Sequence, residues 1–379
     1  MRDHTFNYHV SEVQISMYDY DFSFYTFFIP DVRLVERFKD GGSVLIAEGY
    51  MWEFERRGYL KAGGFIPEVV LDHPDMVRAM HEEFVHSGTD VVEAFTYYGH
   101  REKLRLIGRE DDLEKLNRVA LKIAKEVADK HGLLMAGGIC NTGIYNPDDP
   151  ASFDTVKNMF KEQIEWAIEE GADFMIGETF NDFGEAMLAL EAIQKYGNGV
   201  PAVITLTPYI PDVTTDDIPF PEACRRLEEA GAAVVGLNCG RGPATMLPLL
   251  KEIRKVCKGP IAALPVPFRC RDDCRTFQSL KDPDSGVPLY PVDLSCVQCN
   301  RSDIKKFSQE CKDIGINYVG ICCGNCPIFM RELAEVYGRK PEACKYSPDI
   351  SLSFIFGESS KEEKYSRSSK IRDFMVKGN

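Results

Sequence analysis

No stretch of about 18 consecutive apolar residues occurs in the chain, which argues against a membrane-spanning helix. The opening residues, MRDHTFNYHV, lack the short basic region and unbroken apolar block of a secretory signal. Basic residues are outnumbered: 45 Lys and Arg stand against 59 Asp and Glu, for a net charge of -14. Phosphate binding needs a basic face, so no nucleic acid is expected as the main partner, and the charge reads as a solvated acidic surface. Histidines number only seven. No Gly-rich dinucleotide loop follows the first strand-like run, which argues against an open doubly wound sheet.

Cysteine, by contrast, is plentiful. The 13 residues are odd in number and run from Cys140 to Cys344. In a chain of 379 residues without a leader, this points to a reducing compartment, the cytoplasm, and to free thiols, metal ligands or catalytic groups rather than a disulfide framework. The 44% hydrophobic content is enough for a sizeable core.

Short apolar runs alternate with longer amphipathic ones from residue 41 to 340. The short runs are 43–49, 90–96, 133–140, 172–180, 202–208, 232–239, 261–267 and 318–324. Their length and apolarity suit strands buried on both faces of a parallel sheet. Helical spacing predicts helices over 75–88, 113–132, 153–171, 183–197, 221–231, 244–259, 302–315 and 326–338, each ending in a glycine that suits a left-handed cap. Pro221 fits the first turn of the fifth. Eight strand–helix units in order predict an α/β fold, a (βα)8 TIM barrel over residues 32–340. The polar segment 269–300 reads as a long loop above the barrel. Residues 1–31, with nine aromatics between Phe6 and Phe28, read as an extension packed on the barrel or on a partner subunit. Residues 341–379 read as a tail, mobile at its polar end or clasping a partner.

Active sites of such barrels lie at the carboxyl ends of the strands. Glu48, Glu178, Cys239 and the adjacent Cys322 and Cys323 all fall there, and Tyr97 and Tyr98 follow the second strand. Three thiolates with an open fourth position make a catalytic zinc site. Gly324 allows the bend that lets adjacent cysteines face one metal. The bland reading, cysteines filling the barrel top, is weaker for three converging from distant segments. Cys326 reads as a bystander. Cys270, Cys274, Cys296 and Cys299 could hold a second metal or be unligated loop thiols. A trithiolate zinc generates hydroxide poorly and suits a bound thiol nucleophile. Alkyl transfer to a thiol is therefore expected, with Glu48 and Glu178 holding a cationic amino group, as in homocysteine.

At these residues the sequence resembles the zinc-dependent homocysteine S-methyltransferases, and among them the betaine-dependent branch. The matching stretches are IAEGYMWEFERRGYLKAGGFIPE (46–68), AFTYYGHREKL (94–104), ADFMIGETF (172–180), VVGLNCGRGP (234–243) and YVGICCG (318–324). The resemblance implies Zn2+ on Cys239, Cys322 and Cys323, and homocysteine bound near Glu48, Gly49 and Glu178. It also implies an onium methyl donor near Tyr98, Phe65 and Thr179, and a homo-oligomer, with a dimer favoured. The branch carries Asp, Trp and Tyr where this chain has Glu48, Phe65 and Thr179, while Tyr50 and Trp52 are extra aromatics that could rebuild a cation cage. The expected donor is glycine betaine or a related betaine or sulfonium. The alternatives are S-methylmethionine, dimethylsulfoniopropionate, or a non-catalytic zinc- or thiol-binding barrel.

Overall fold

In the computed structural model, the described residues are 33–353, 355–358 and 366–377. The expectation for residues 1–31 falls outside them. Eight parallel strands close into a barrel in sequence order, and β1 pairs with both β2 and β8. The strands are β1 Val44–Ala47, β2 Val91–Glu93, β3 Leu134–Cys140, β4 Phe174–Phe180, β5 Ala202–Leu206, β6 Val234–Asn238, β7 Ile261–Leu264 and β8 Tyr318–Ile321. Every strand residue is buried, as expected for a sheet with side chains filling the inside and helices covering the outside.

The covering helices are α1 Pro74–Ser87, α2 Leu113–His131, α3 Ala151–Glu169, α4 Phe183–Tyr196, α5 Phe220–Glu229, α6 Pro243–Val256, α7 Arg301–Asp313 and α8 Pro327–Val336. Pro221 does sit in the first turn of α5. Six of the eight terminal glycines adopt positive φ: Gly88, Gly132, Gly171, Gly231, Gly315 and Gly338. Gly197 does not. Its φ is -81°, and the left-handed turn passes to Asn198 and Gly199 behind it. Gly259 is not left-handed either, because α6 stops earlier, at an extended Cys257.

Two features shape the upper rim. A short helix, Tyr50–Arg56, follows β1 directly and starts at Gly49. The 269–300 segment is a loop as expected, with short 3-10 turns at Phe277–Ser279 and Leu294–Val297. Bridges from Thr276 to Arg241 and from Gln298 to Phe268 tie it to the ends of β6 and β7. In the tail, a further helix, α9 (Ser366–Lys377), exposes Ile371, Phe374, Met375 and Val376. Among the described residues no helix is long and apolar enough to cross a membrane.

Candidate active site

The carboxyl ends of β6 and β8 bring three sulfurs together. Cys239 Sγ lies 3.6 Å from Cys323 Sγ, and Cys322 Sγ lies 3.9 Å from Cys323 Sγ. All three ligand atoms fall within 4.8 Å of one another. Sulfurs at ~2.3 Å from a tetrahedral ion are ~3.8 Å apart, so the spacing fits a thiophilic divalent cation. Hydrogen bonding with Cys322 and Cys323 pulls the Cys239 thiol well below its usual range, and the same contacts push Cys322 and Cys323 up. A bound cation would favour the ionised form of all three.

The backbone is bent to achieve this. Eight non-glycine residues among those described have positive φ. Four are Asp40, Asn198, Asp212 and Asp217, types that tolerate the left-handed region. The other four are Phe65, Tyr98, Thr179 and Cys239, all at the strand-end rim. Such conformations cost on the order of 1–3 kcal/mol each and persist where surrounding structure imposes them, often at functional sites. Gly49 lets β1 approach β8: a Cβ there would lie 2.4 Å from the Cys322 carbonyl carbon and 2.5 Å from Cys323 N.

Carboxyl groups form the next layer. Glu48 is 1% exposed and both its oxygens are buried without a hydrogen-bond partner. Glu178 is oriented by Asn238, whose Nδ2 donates to Glu178 Oε2 at 3.1 Å and to Thr179 Oγ1 at 2.8 Å. Asn238 Oδ1 in turn accepts from Thr179 N at 2.9 Å and Thr205 Oγ1 at 3.0 Å. Burial, then the Cys239 thiolate, raises Glu178 to about 8. Burial, then Glu178 and Cys239, also holds Glu48 well above the carboxylate range. A third carboxyl, Glu93 at the end of β2, is raised by burial and by Glu178 and Glu48. Glu93, Glu178, Gly49, Cys322 and Cys323 line one cavity, and no lysine or arginine lines it.

Aromatic rings surround the mouth. The hydroxyls of Tyr98, Tyr209 and Tyr290 are raised chiefly by burial, and each also senses Cys239 and Cys323. Trp52 stacks on Phe65 with centroids 4.5 Å apart and planes 7° apart, and reaches Tyr290 at 6.3 Å and Phe277 at 5.6 Å. Tyr50 does not join Trp52: its ring packs on His81, Phe84 and Phe95.

Sequence reading missed Glu93, Asn238, Tyr209, Tyr290 and Phe277. Glu93 carried a usable signal, a charge in the middle of an apolar run. Cys326 caps α8, outside the three-sulfur group. Cys270, Cys274, Cys296 and Cys299 form no group of three close ligands among the described residues.

Residues 46–337 match the family model for homocysteine S-methyltransferase, and the chain belongs to that family. It is a methyltransferase enzyme. It is 34% identical over 302 residues, 78% of this chain and 79% of the relative, to S-methylmethionine–homocysteine S-methyltransferase BHMT2 of Pongo abelii. It is 32% identical to betaine–homocysteine S-methyltransferase 1 of Mus musculus, covering 80% of this chain and 74% of the relative. The metallated homocysteine methyltransferase MmuM from Escherichia coli shares the fold, with TM-score 0.63 and 17% identity over 80% of this chain and 99% of that one.

Proposed function

We propose that this enzyme moves a methyl group from an onium donor, glycine betaine or a related betaine or sulfonium, to the thiol of homocysteine, giving methionine. In this reading Cys239, Cys322 and Cys323 hold Zn2+, which when bound supplies a Lewis acid that keeps a thiol ionised at neutral pH. The observation that carries the reading is the juxtaposition of three close sulfurs with a buried, cation-free cavity of carboxyls. Glu48, with two unpartnered oxygens, and Glu178, aimed by Asn238, hold the substrate ammonium. Gly49 admits the close approach of β1. Tyr98, Phe65 and Thr179 face the donor, and a cation over an aromatic ring gains ~0.5–2 kcal/mol. The donor leaves neutral, so no general acid is required. A reducing compartment, the cytoplasm, suits 13 unpaired cysteines.

The S-methylmethionine reading is favoured by Thr179, which lines the cavity where the betaine-dependent branch carries a Tyr ring. Protein loaded with zinc and supplied with homocysteine should form methionine from at least one of glycine betaine, dimethylsulfoniopropionate and S-methylmethionine. If it binds homocysteine and none yields methionine, the barrel is a thiol-binding protein and the proposal fails.

A further inference from the structure

The turn that carries Cys239 is strained, and one buried side chain braces it. Cys239 and Gly240 are both left-handed, with φ of 56° and 65°, and Arg241 N closes the turn on Cys239 O at 2.6 Å. Main-chain bonds hold one flank. Cys239 N donates to Leu264 O at 2.9 Å, Val266 N to Arg241 O at 3.0 Å and Phe277 N to Gly240 O at 3.0 Å. These tie the turn to β7 and to the long loop, and none of them reaches the loop after β5.

Arg241 reaches that other flank. Its side chain is only 3% exposed. Nε donates to Pro208 O at 2.8 Å, Nη2 to Ile210 O at 3.2 Å and Nη1 to Thr245 O at 3.4 Å. Asp212, 3.9 Å away, is itself well exposed. A buried charge held mainly by carbonyls is costly, and a packed apolar side chain would serve stability as well. What the guanidinium adds is a rigid fork that binds carbonyls of separate segments at once. The two carbonyls it grips in the loop after β5 flank Tyr209. That ring lies against Gly240: a Cβ there would meet Tyr209 Cδ1 and Cε1 at 3.2 Å and Thr207 Oγ1 at 2.9 Å.

We propose that Arg241 is a positioning residue for Cys239. By gripping the carbonyls on either side of Tyr209 it clamps that ring on Gly240, which keeps the Cys239–Gly240 pair left-handed and the Cys239 sulfur beside Cys323. Cys322 and Cys323 are adjacent in the chain, so Cys239, from another strand, is the ligand whose placement needs separate control. The inference rests on the reading of the three cysteines as metal ligands. It goes beyond that reading in naming what holds one of them in a conformation that a cysteine rarely adopts.

The test is anaerobic titration of full-length apoprotein with Co2+, a coloured probe for tetrahedral thiolate sites, without homocysteine or donor. Wild type is compared with Arg241→Met, Arg241→Lys and Arg254→Met. Arg254 is the matched control. It too binds three carbonyls, those of Cys257, Gly259 and Gly315, but at the amino ends of β7 and β8, away from the cysteines. Arg241→Met should bind cobalt about 10–100-fold more weakly, the loss typical when a residue that orients a ligand is removed. Its sulfur-to-cobalt charge-transfer absorption at saturation should also weaken as Cys239 ceases to ligate. Arg241→Lys keeps the charge without the fork and should recover only part of the affinity; it decides the matter if methionine is not tolerated in the fold. Arg254→Met should lose stability to urea and keep its cobalt affinity. Wild-type affinity in either Arg241 variant, or an equal loss in Arg254→Met, would overturn the proposal. A wild type that takes up no cobalt would overturn it together with the metal reading, whereas one that binds cobalt and yields no methionine with zinc defeats only the functional reading.

Discussion

Gly49→Ala should damage the metal site out of proportion to its size. The added Cβ would meet the Cys322 carbonyl carbon at 2.4 Å, its oxygen at 2.5 Å and Cys323 N at 2.5 Å. These are backbone atoms and cannot rotate away. Restoring ordinary contact requires the ends of β1 and β8 to part by roughly 0.5–1 Å. The φ of +73° adds about 1 kcal/mol of strain for a residue with a Cβ. Overpacking and strain together predict a loss of ~2–4 kcal/mol in stability. The peptide that must yield joins the two adjacent cysteines, whose sulfurs stand 3.9 Å apart, close to the ~3.8 Å of a tetrahedral site. Zinc affinity should therefore fall about 10–100-fold, and the methyl-transfer rate about 100-fold. Gly108→Ala is the control. Its φ is +67°, but nothing lies within 4 Å of the new Cβ, so it should lose only about 1 kcal/mol and no zinc affinity. Chelator competition measures the metal and urea unfolding the stability. Wild-type zinc affinity in Gly49→Ala would refute the reasoning.

Asn238→Ala strands the Thr179 amide and the Thr205 hydroxyl and frees Glu178; it should cost ~2–4 kcal/mol in thermal unfolding and raise the KM for homocysteine more than it lowers kcat. An unaltered KM would show that Glu178 does not depend on it. Glu185, buried in α4 and bonded by Thr142 N and Oγ1, is pushed up by burial to about 7. The folded state then keeps a proton that the unfolded state loses above about pH 4.5, so stability falls between pH 4.5 and 7, by up to about 3 kcal/mol. Urea titrations of Glu185→Gln should show a shallower slope over that window, and an unchanged slope would contradict this. Cys326→Ser should keep a full zinc complement where Cys239→Ser does not, read by metal analysis; equal losses would overturn the assignment of ligands.

Much of the fold was legible because the pattern repeats. Eight buried runs and eight amphipathic segments leave few alternatives, and the strand and helix limits differ from expectation by only a few residues. Cys239, Cys322 and Cys323 could be placed on one rim because a barrel fixes where strand ends go. What lay in the loops was not legible. Tyr209 and Tyr290 lie on connections whose course no periodicity encodes, and Tyr290 meets Trp52 and Phe277 there. Tyr50 and Trp52 stand two positions apart on one helix, so they project to different sides and only one meets Phe65. The left-handed backbone at Phe65, Tyr98, Thr179 and Cys239 is imposed by the surrounding barrel, and residue type gave no hint of it. Glu93 was visible but absorbed into a strand whose other residues are apolar.

The central claim is that Cys239, Cys322 and Cys323 hold a zinc ion whose remaining position accepts the homocysteine thiol. X-ray absorption at the zinc edge of the purified enzyme, with and without homocysteine, tests it directly. Three sulfur ligands without the substrate and four with it are predicted. A sulfur count that stays the same when saturating homocysteine is added, or a zinc bound mainly by nitrogen and oxygen, would contradict it.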